Sequence, residues 1–301
     1  MTVRAGAGGP SSDLLRAVQQ RYGLDGLIGA RRLTGGCAND VFLLEASPPI
    51  VLHVKHPPAN AESLAWEHRL LRHLAELLPE VPAPLTARDG LTFFWHEGQP
   101  VWLTPYLPGS PAEPTDRRAV ATALGRLHAV KIDVPVRPGH QRIRELPVPP
   151  VRDMPSDFEP WLPLLTRART ETIRLISQVD RSRTVVTGVT HNDIFPGNVL
   201  VHDGRVTALL DWEEADIDWL VWDLACGIWP FCDVEDDLNA AVAECLVAYR
   251  SAGGLVPPAE DDLIIPLIGA KRILEVLRAP TDRHPRWDLQ LANLRAYQRL
   301  S

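Results

Sequence analysis

Cysteine is scarce in this chain. The four present, Cys37, Cys226, Cys232 and Cys245, show no pairing at two-residue spacing, which excludes the usual cysteine-built metal sites. A chain of 301 residues also has no need of disulfide staples, so the thiols are expected to be reduced and the protein cytoplasmic. Basic residues are outnumbered, 31 Lys and Arg against 38 Asp and Glu, for a formal net charge of −7. That balance lacks the electrostatic footprint of a nucleic-acid binder and suits a neutral or cationic substrate. No apolar run reaches the length of a membrane span; the nearest, Leu263 to Ala270, is interrupted by Pro266. There is no internal repeat. Met1 to Ser12 is small, polar and rich in Gly and Pro, which predicts a frayed start and not a signal peptide.

What is present is ordinary globular composition, 45% hydrophobic and 23% charged, in a chain long enough to form two lobes. Leu14, Leu15 and Val18 at helical spacing predict a helix over Asp13 to Tyr22. Strands are expected at Ile28 to Leu33 and Val41 to Ala46, around the turn that holds Gly35, Gly36 and Asn39. Paired glycines let backbone N–H groups face an anion, but they serve equally in a plain hairpin turn. A third strand, Ile50 to His56, puts Val51, His53 and Lys55 on one face and Leu52 and Val54 on the other. Leucines at 64, 70, 71, 74, 77 and 78 then mark the apolar stripe of a helix over Glu62 to Leu78. Glu67 lies off that stripe. It reads either as a solvated helix glutamate or as the partner of Lys55, steadying the ammonium over nucleotide phosphates.

Strand-like runs at Leu91 to His96 and Pro100 to Thr104 lead into Pro105-Tyr106-Leu107-Pro108-Gly109, the best candidate boundary between a β-rich and a helical half. Helices are predicted over Asp116 to Val130 and Ser156 to Asp180, with the proline- and arginine-dense stretch from Lys131 to Pro155 between them read as a loop. Next comes the densest polar motif. His191, Asn192, Asp193 and Asn198 lie between short valine-rich runs, and a further run, Val206 to Leu210, ends directly in Asp211-Trp212-Glu213. Asp193, Asn198 and Asp211 offer carboxylate, amide and carboxylate oxygens, the hard ligands that Mg²⁺ takes while keeping waters and substrate phosphates.

In this order the elements resemble the aminoglycoside phosphotransferase family, a small-molecule branch of the protein-kinase-like fold that includes choline kinases and type II homoserine kinases. The resemblance covers about Arg31 to Ala225 and rests on Gly35-Gly36 with Asn39, Lys55 with Glu67, His191 to Asp193 with Asn198, and Asp211-Trp212-Glu213. It implies an α+β, bilobal fold: an N-terminal lobe over 1–104, a hinge over 105–110 and a helical C-terminal lobe over 111–301. It implies a kinase that uses ATP and Mg²⁺, with GTP left open as donor. Asp193 would be the catalytic carboxylate that takes or orients the acceptor's hydroxyl proton, and Asn198 and Asp211 would hold the metal. Gly35, Gly36, Asn39, Lys55, Glu67, Thr104 and Tyr106 would bind the nucleotide. His191 and Asp223, the latter in Trp222-Asp223-Leu224-Ala225, would support the loop. Two departures stand out: Asn192 where family members commonly carry glycine or another small residue, and Ile217-Asp218-Trp219 in place of Gly-Asp-Pro. Phe195 replaces a lysine found in protein kinases, which argues for a small alcohol over a protein substrate.

The acceptor is expected to lie against the C-terminal third, with no nucleic acid or membrane as partner and the chain a monomer or homodimer. Asp218, Trp219, Trp229 and Asp233 are the candidate acceptor residues; an acidic rim there would draw an amine, although Asp233 to Asp237 also suits the start of the helix Leu238 to Tyr249. Arg272 and Arg278, on a helix over Glu260 to Arg278, read as surface arginines. The acceptor class stays open among amino alcohols, sugars and aminoglycoside-type antibiotics. The alternatives are a metabolic enzyme like type II homoserine kinase, which the segment after Asp223 favours, and a nucleotide-binding pseudokinase.

Overall fold

The computed structural model describes residues 9–24, 27, 29–33, 39–56, 60–143, 145, 147–151, 156–182, 184–233, 237–279 and 287–300. Along the chain run α1 (Ser12–Tyr22), β1 (Ala30–Leu33), β2 (Asn39–Leu44), β3 (Ile50–Lys55), α2 (Ala61–Ala75), β4 (Phe94–His96), β5 (Gln99–Pro105) and β6 (Ser110–Pro111). There follow α3 (Arg117–Ala129), α4 (Leu162–Ser182), β7 (Thr187–Thr190), β8 (Val199–His202), β9 (Arg205–Leu209) and β10 (Asp216–Trp219). Four helices close the chain: α5 (Leu220–Cys232), α6 (Leu238–Ser251), α7 (Asp261–Arg278) and α8 (Trp287–Leu300). The expected α+β order, sheet first and helices after, is observed.

The chain divides into two compact units. The first comprises 1–119, 132–139 and 195–214; the second comprises 120–131, 140–194 and 215–301. The grouping departs from a single cut at the hinge, because the hairpin β8–β9 and a short piece of the proline-rich loop join the N-terminal unit.

In the first unit an antiparallel sheet runs in the order β1-β2-β3-β5-β4. Strand alternation gives it two apolar faces. Phe42, Leu44, Leu52, Val54, Val101 and Leu103 pack against Leu14 and Val18 of α1, while Leu33, Val41, Leu43 and Val51 form a separate cluster on the other side with Tyr106. The helix α1 starts at Ser11, whose hydroxyl accepts from Leu14 N at 3.1 Å, and stops at Gly23 in the left-handed region (φ 70°). Asn60 caps α2. That helix ends at Ala75, so Leu77 is left exposed, while Leu78, also beyond the helix, is buried. A small sheet, β6-β8-β9, carries the hairpin.

The second unit is helical apart from the pair β10–β7. The helix α5 is buried along nearly its whole length, from Leu220 to Ile228 and again at Phe231 and Cys232. Phe158, Leu165 and Ala168 pack with Ile273, Val276 and Leu277 of α7 and with Leu294 and Tyr297 of α8. Gly125 of α3 shows how tight this packing is. A Cβ there would stand 2.3 Å from the Tyr249 carbonyl oxygen of α6, so backbone would have to move against backbone. Gly125→Ala is expected to lower the urea-unfolding free energy by about 1–3 kcal/mol, the usual cost of overpacking. An unchanged midpoint and slope would show that the two helices yield freely.

Candidate active site

The sheet face away from α1 opens into a pocket lined by residues of the first unit. Strand alternation delivers Val51, His53 and Lys55 of β3 to it, as expected. Asn39 of β2, Glu67 of α2, Thr104 of β5 and Tyr106 line it as well, and the hairpin adds Asn198 and Asp211. Seven of the predicted nucleotide and metal residues are thus gathered around one cavity. Gly35 and Gly36 lie outside the described residues.

Charges within the pocket are paired differently from the expectation. The ammonium of Lys55 bonds the Glu213 carboxylate at 3.0 Å. Glu67, only 5% exposed and far from the solvated residue its helical position suggested, accepts from Arg137 Nη2 at 2.7 Å. The direct pair between Lys55 and Glu67 is therefore replaced by two separate pairs. Burial pushes the Glu67 carboxyl up from its ordinary value, against the opposing pull of Arg137 and Lys55. Beside Lys55, the His53 ring stacks on Trp102 with centroids 4.9 Å apart, and its Nε2 lies 2.9 Å from Thr104 Oγ1.

The metal candidates owe their places to the hairpin. Asn198 closes a 3-10 turn, Pro196–Asn198, and its carbonyl accepts from Leu210 N at 2.7 Å, which ties the turn to the strand end that precedes Asp211. Asp211 itself adopts φ 64°. Left-handed backbone is uncommon outside glycine, and Asp and Asn tolerate it best. Among the described residues no group of three His, Cys, Asp or Glu side chains could hold a metal alone.

In the second unit, His191, Asn192 and Asp193 follow β7. Asp223, wholly buried in the first turn of α5, accepts from His191 N at 2.9 Å, from Asn192 N at 2.6 Å and from His128 Nε2 at 2.9 Å. Burial alone would raise its pKa; the His128 bond and charge and the His191 amide outweigh this and hold the carboxyl below its ordinary value. These bonds tie Asp223 to the backbone of the loop that carries Asp193. Asn192, at φ 64°, explains its own departure from the small residue common at that position: the backbone is left-handed there, and asparagine is among the few side chains that accept it. Asp193 is partly exposed, and its N–H lies 3.3 Å from His191 Nδ1.

Two of the expected acceptor residues, Asp218 and Trp219, need correction. Asp218 is 4% exposed and accepts from Ile143 N at 2.7 Å and Trp219 N at 2.8 Å; Trp219 is 2% exposed. Both lie in β10, a strand missed in the sequence, and present no open face to a ligand. Asp233 is engaged by Arg272, which is 1% exposed and not a surface residue, and whose guanidinium sits 4.7 Å from the centre of the Trp229 ring. Asp237 caps α6 through Ala240 N, which bears out the helix-start reading of that acidic run at this residue; Val234 to Asp236 lie outside the described residues. Sequence reasoning missed Arg137 and the pairing role of Glu213. The signals available were one of several arginines in a proline-rich stretch and a second carboxylate two residues after Asp211.

The sequence matches the model of the phosphotransferase enzyme family over residues 29–260. Homoserine kinase of Methylobacterium nodulans is 26% identical over 264 residues, covering 81% of this chain and 78% of that protein. Homoserine kinase of Rhodospirillum rubrum is 27% identical over 251 residues, 77% and 74% of the two chains. Among solved structures, an amicoumacin kinase in complex with AMP-PNP, Ca²⁺ and Ami superposes with a TM-score of 0.73 at 16% identity, covering 96% of this chain and 92% of that one. The microcompartment-associated aminopropanol kinase gives 0.69 at 17% identity, with 96% and 95% covered. These likenesses establish the fold as that of the kinase-like phosphotransferases.

The pocket side of the sheet also makes a prediction about acid stability. Burial lowers His53 from 6.5 to about 4, and burial with the charges of His53, Lys55 and Arg137 lowers His68 to about 3. Both rings are therefore neutral in the folded protein at pH 7, and between these values the unfolded chain binds more protons. Their contribution is complete above pH 6.5 and is lost as pH falls toward 4. Urea-unfolding free energies measured across that window should fall for the wild type and fall less steeply for His68→Phe; equal slopes would show that His68 does not titrate with unfolding.

Proposed function

The chain belongs to the phosphotransferase enzyme family and is a small-molecule kinase, and from that premise we propose that it moves the γ-phosphoryl group of ATP to the hydroxyl of a small amino alcohol. The observation that carries this reading is the single pocket in which Lys55, Asn198 and Asp211 meet. A cation, a carboxamide and a carboxylate so gathered suit a polyphosphate carried with a divalent ion. Homoserine kinases among the sequence relatives and an aminopropanol kinase among the structural ones favour an amino alcohol over a sugar.

The donor set fits Mg²⁺ of the kind that stays largely hydrated. One amide and one carboxylate leave positions for water and phosphate oxygens, and among the described residues no group of three His, Cys, Asp or Glu could close the site. When bound, the ion supplies neutralisation of charge on the transferring phosphates. Asn198 and Asp211 would hold it. Lys55 would set its ammonium against the α and β phosphates, and Tyr106 and the backbone after Thr104 would receive the base. Asp193 would orient the acceptor hydroxyl and take its proton as the oxygen attacks the γ-phosphorus. His191 and Asp223 would fix the loop that carries Asp193, with no proton moved by either.

Asp193→Ala should lower kcat by about 10²- to 10⁴-fold, as removal of a positioned base does, while the shift in melting temperature caused by Mg·ATP persists. Turnover at the wild-type rate would refute the role. Acceptor-dependent ADP release across homoserine, aminopropanol, choline, simple sugars and aminoglycosides should single out an amino alcohol. A preference for a sugar or an aminoglycoside would overturn the acceptor assignment but leave the phosphotransferase intact.

A further inference from the structure

Arg137 comes from the proline-rich stretch between α3 and α4, yet it is 5% exposed and reaches two functional elements of the first unit at once. Toward α2, its Nη2 donates to the Glu67 carboxylate at 2.7 Å and its Nε to Ser63 Oγ at 2.7 Å. Toward the end of the hairpin, its Nη1 donates to the Glu213 carbonyl at 2.7 Å and lies 3.4 Å from that of Trp212. The guanidinium also stands 5.5 Å from the centre of the Trp66 ring, and Trp66 Nε1 donates to the Pro135 carbonyl at 2.6 Å. The loop is therefore fastened to α2 through Arg137 and through Pro135, and Arg137 also grips the two residues next after Asp211.

We propose that Arg137 is a positioning residue for phosphoryl transfer: it holds the peptide groups that follow Asp211, and it keeps the Glu67 carboxylate off Lys55. The inference rests on the phosphotransferase reading above. Three edges of a planar fork serve three differently directed acceptors, which a flexible ammonium cannot reproduce. The carbonyls it grips belong to the two residues next in chain after a left-handed aspartate, so their orientation fixes how the Asp211 carboxylate leaves the backbone. Because Arg137 occupies Glu67, Lys55 is left to Glu213 as its carboxylate partner, and both lysine and metal candidates take their settings from one buried cation. Removing it would leave Glu67 as an uncompensated buried charge, so an alanine variant is expected to lose stability together with activity.

The deciding comparison is Arg137→Lys beside Arg137→Ala. Lysine keeps a positive charge next to Glu67 and should lower the melting temperature much less than alanine, yet it cannot bridge to the 212 and 213 carbonyls. It should lower kcat by about 10- to 100-fold, the range typical of groups that orient a metal ligand, with the acceptor KM unchanged. Amide hydrogen exchange at Trp212 to Glu214, read with no substrate added, should speed up in both variants. A lysine variant with wild-type kcat would overturn the proposal, as would unchanged exchange at those amides or a loss of kcat that simply follows the unfolded fraction. If the wild type transfers phosphate to no acceptor tested, the function reading falls, and the exchange rates alone then decide whether Arg137 sets the hairpin end.

Discussion

A carboxylate with no exposed surface organises the second unit. Asp223 gathers two consecutive backbone amides, at His191 and Asn192, and the imidazole of His128, whose other nitrogen lies 2.9 Å from the Tyr249 hydroxyl. Charge in such a place is tolerable only when every oxygen is engaged, because its desolvation is worth several kcal/mol. The consequence is a cooperative knot. Helix α5, helix α3 through His128, helix α6 through Tyr249 and the loop that carries Asp193 all meet at one anion. The loop geometry is thus tied to the helical core.

The first unit solves a related problem with a cation. There the sheet supplies Lys55 and His53 by simple alternation, but the carboxylates near them come from α2 and from the residues after β9, which are distant in sequence. Arg137 and Lys55 divide those carboxylates between them. Two buried or half-buried pairs then replace one, each carboxylate with its own cation.

Much of this could be read in the sequence, and the reason is local. Lys55 sits on a face set by period-two alternation, and His191, Asp193, Asn198 and Asp211 fall within a stretch short enough for spacing to carry meaning. What could not be read depends on distant partners. Glu67 looked solvated because the leucine stripe of α2 excludes it; only Arg137, seventy residues on in a stretch with no regular pattern, makes its burial possible. Asp216 and Asp218 looked like an acidic rim. They are instead buried carboxylates of β10 that capture the amides of Ile217, Ile143 and Trp219, a use that charge patterning cannot distinguish from solvent exposure. Arg272 misled for the same reason, since its buried position follows from Trp229 and Asp233 on neighbouring helical segments.

The left-handed backbone at Asn192 and Asp211 places a second selection on each position, separate from any ligand. Glutamate at 211 would keep the charge and lose the short side chain that makes this conformation tolerable, and glycine would keep the conformation and lose the oxygen. Aspartate is the one residue that is both acidic and at ease there. Divergence of this chain toward other acceptors can therefore rewrite the walls around the site freely, while position 211 stays confined by its own main chain.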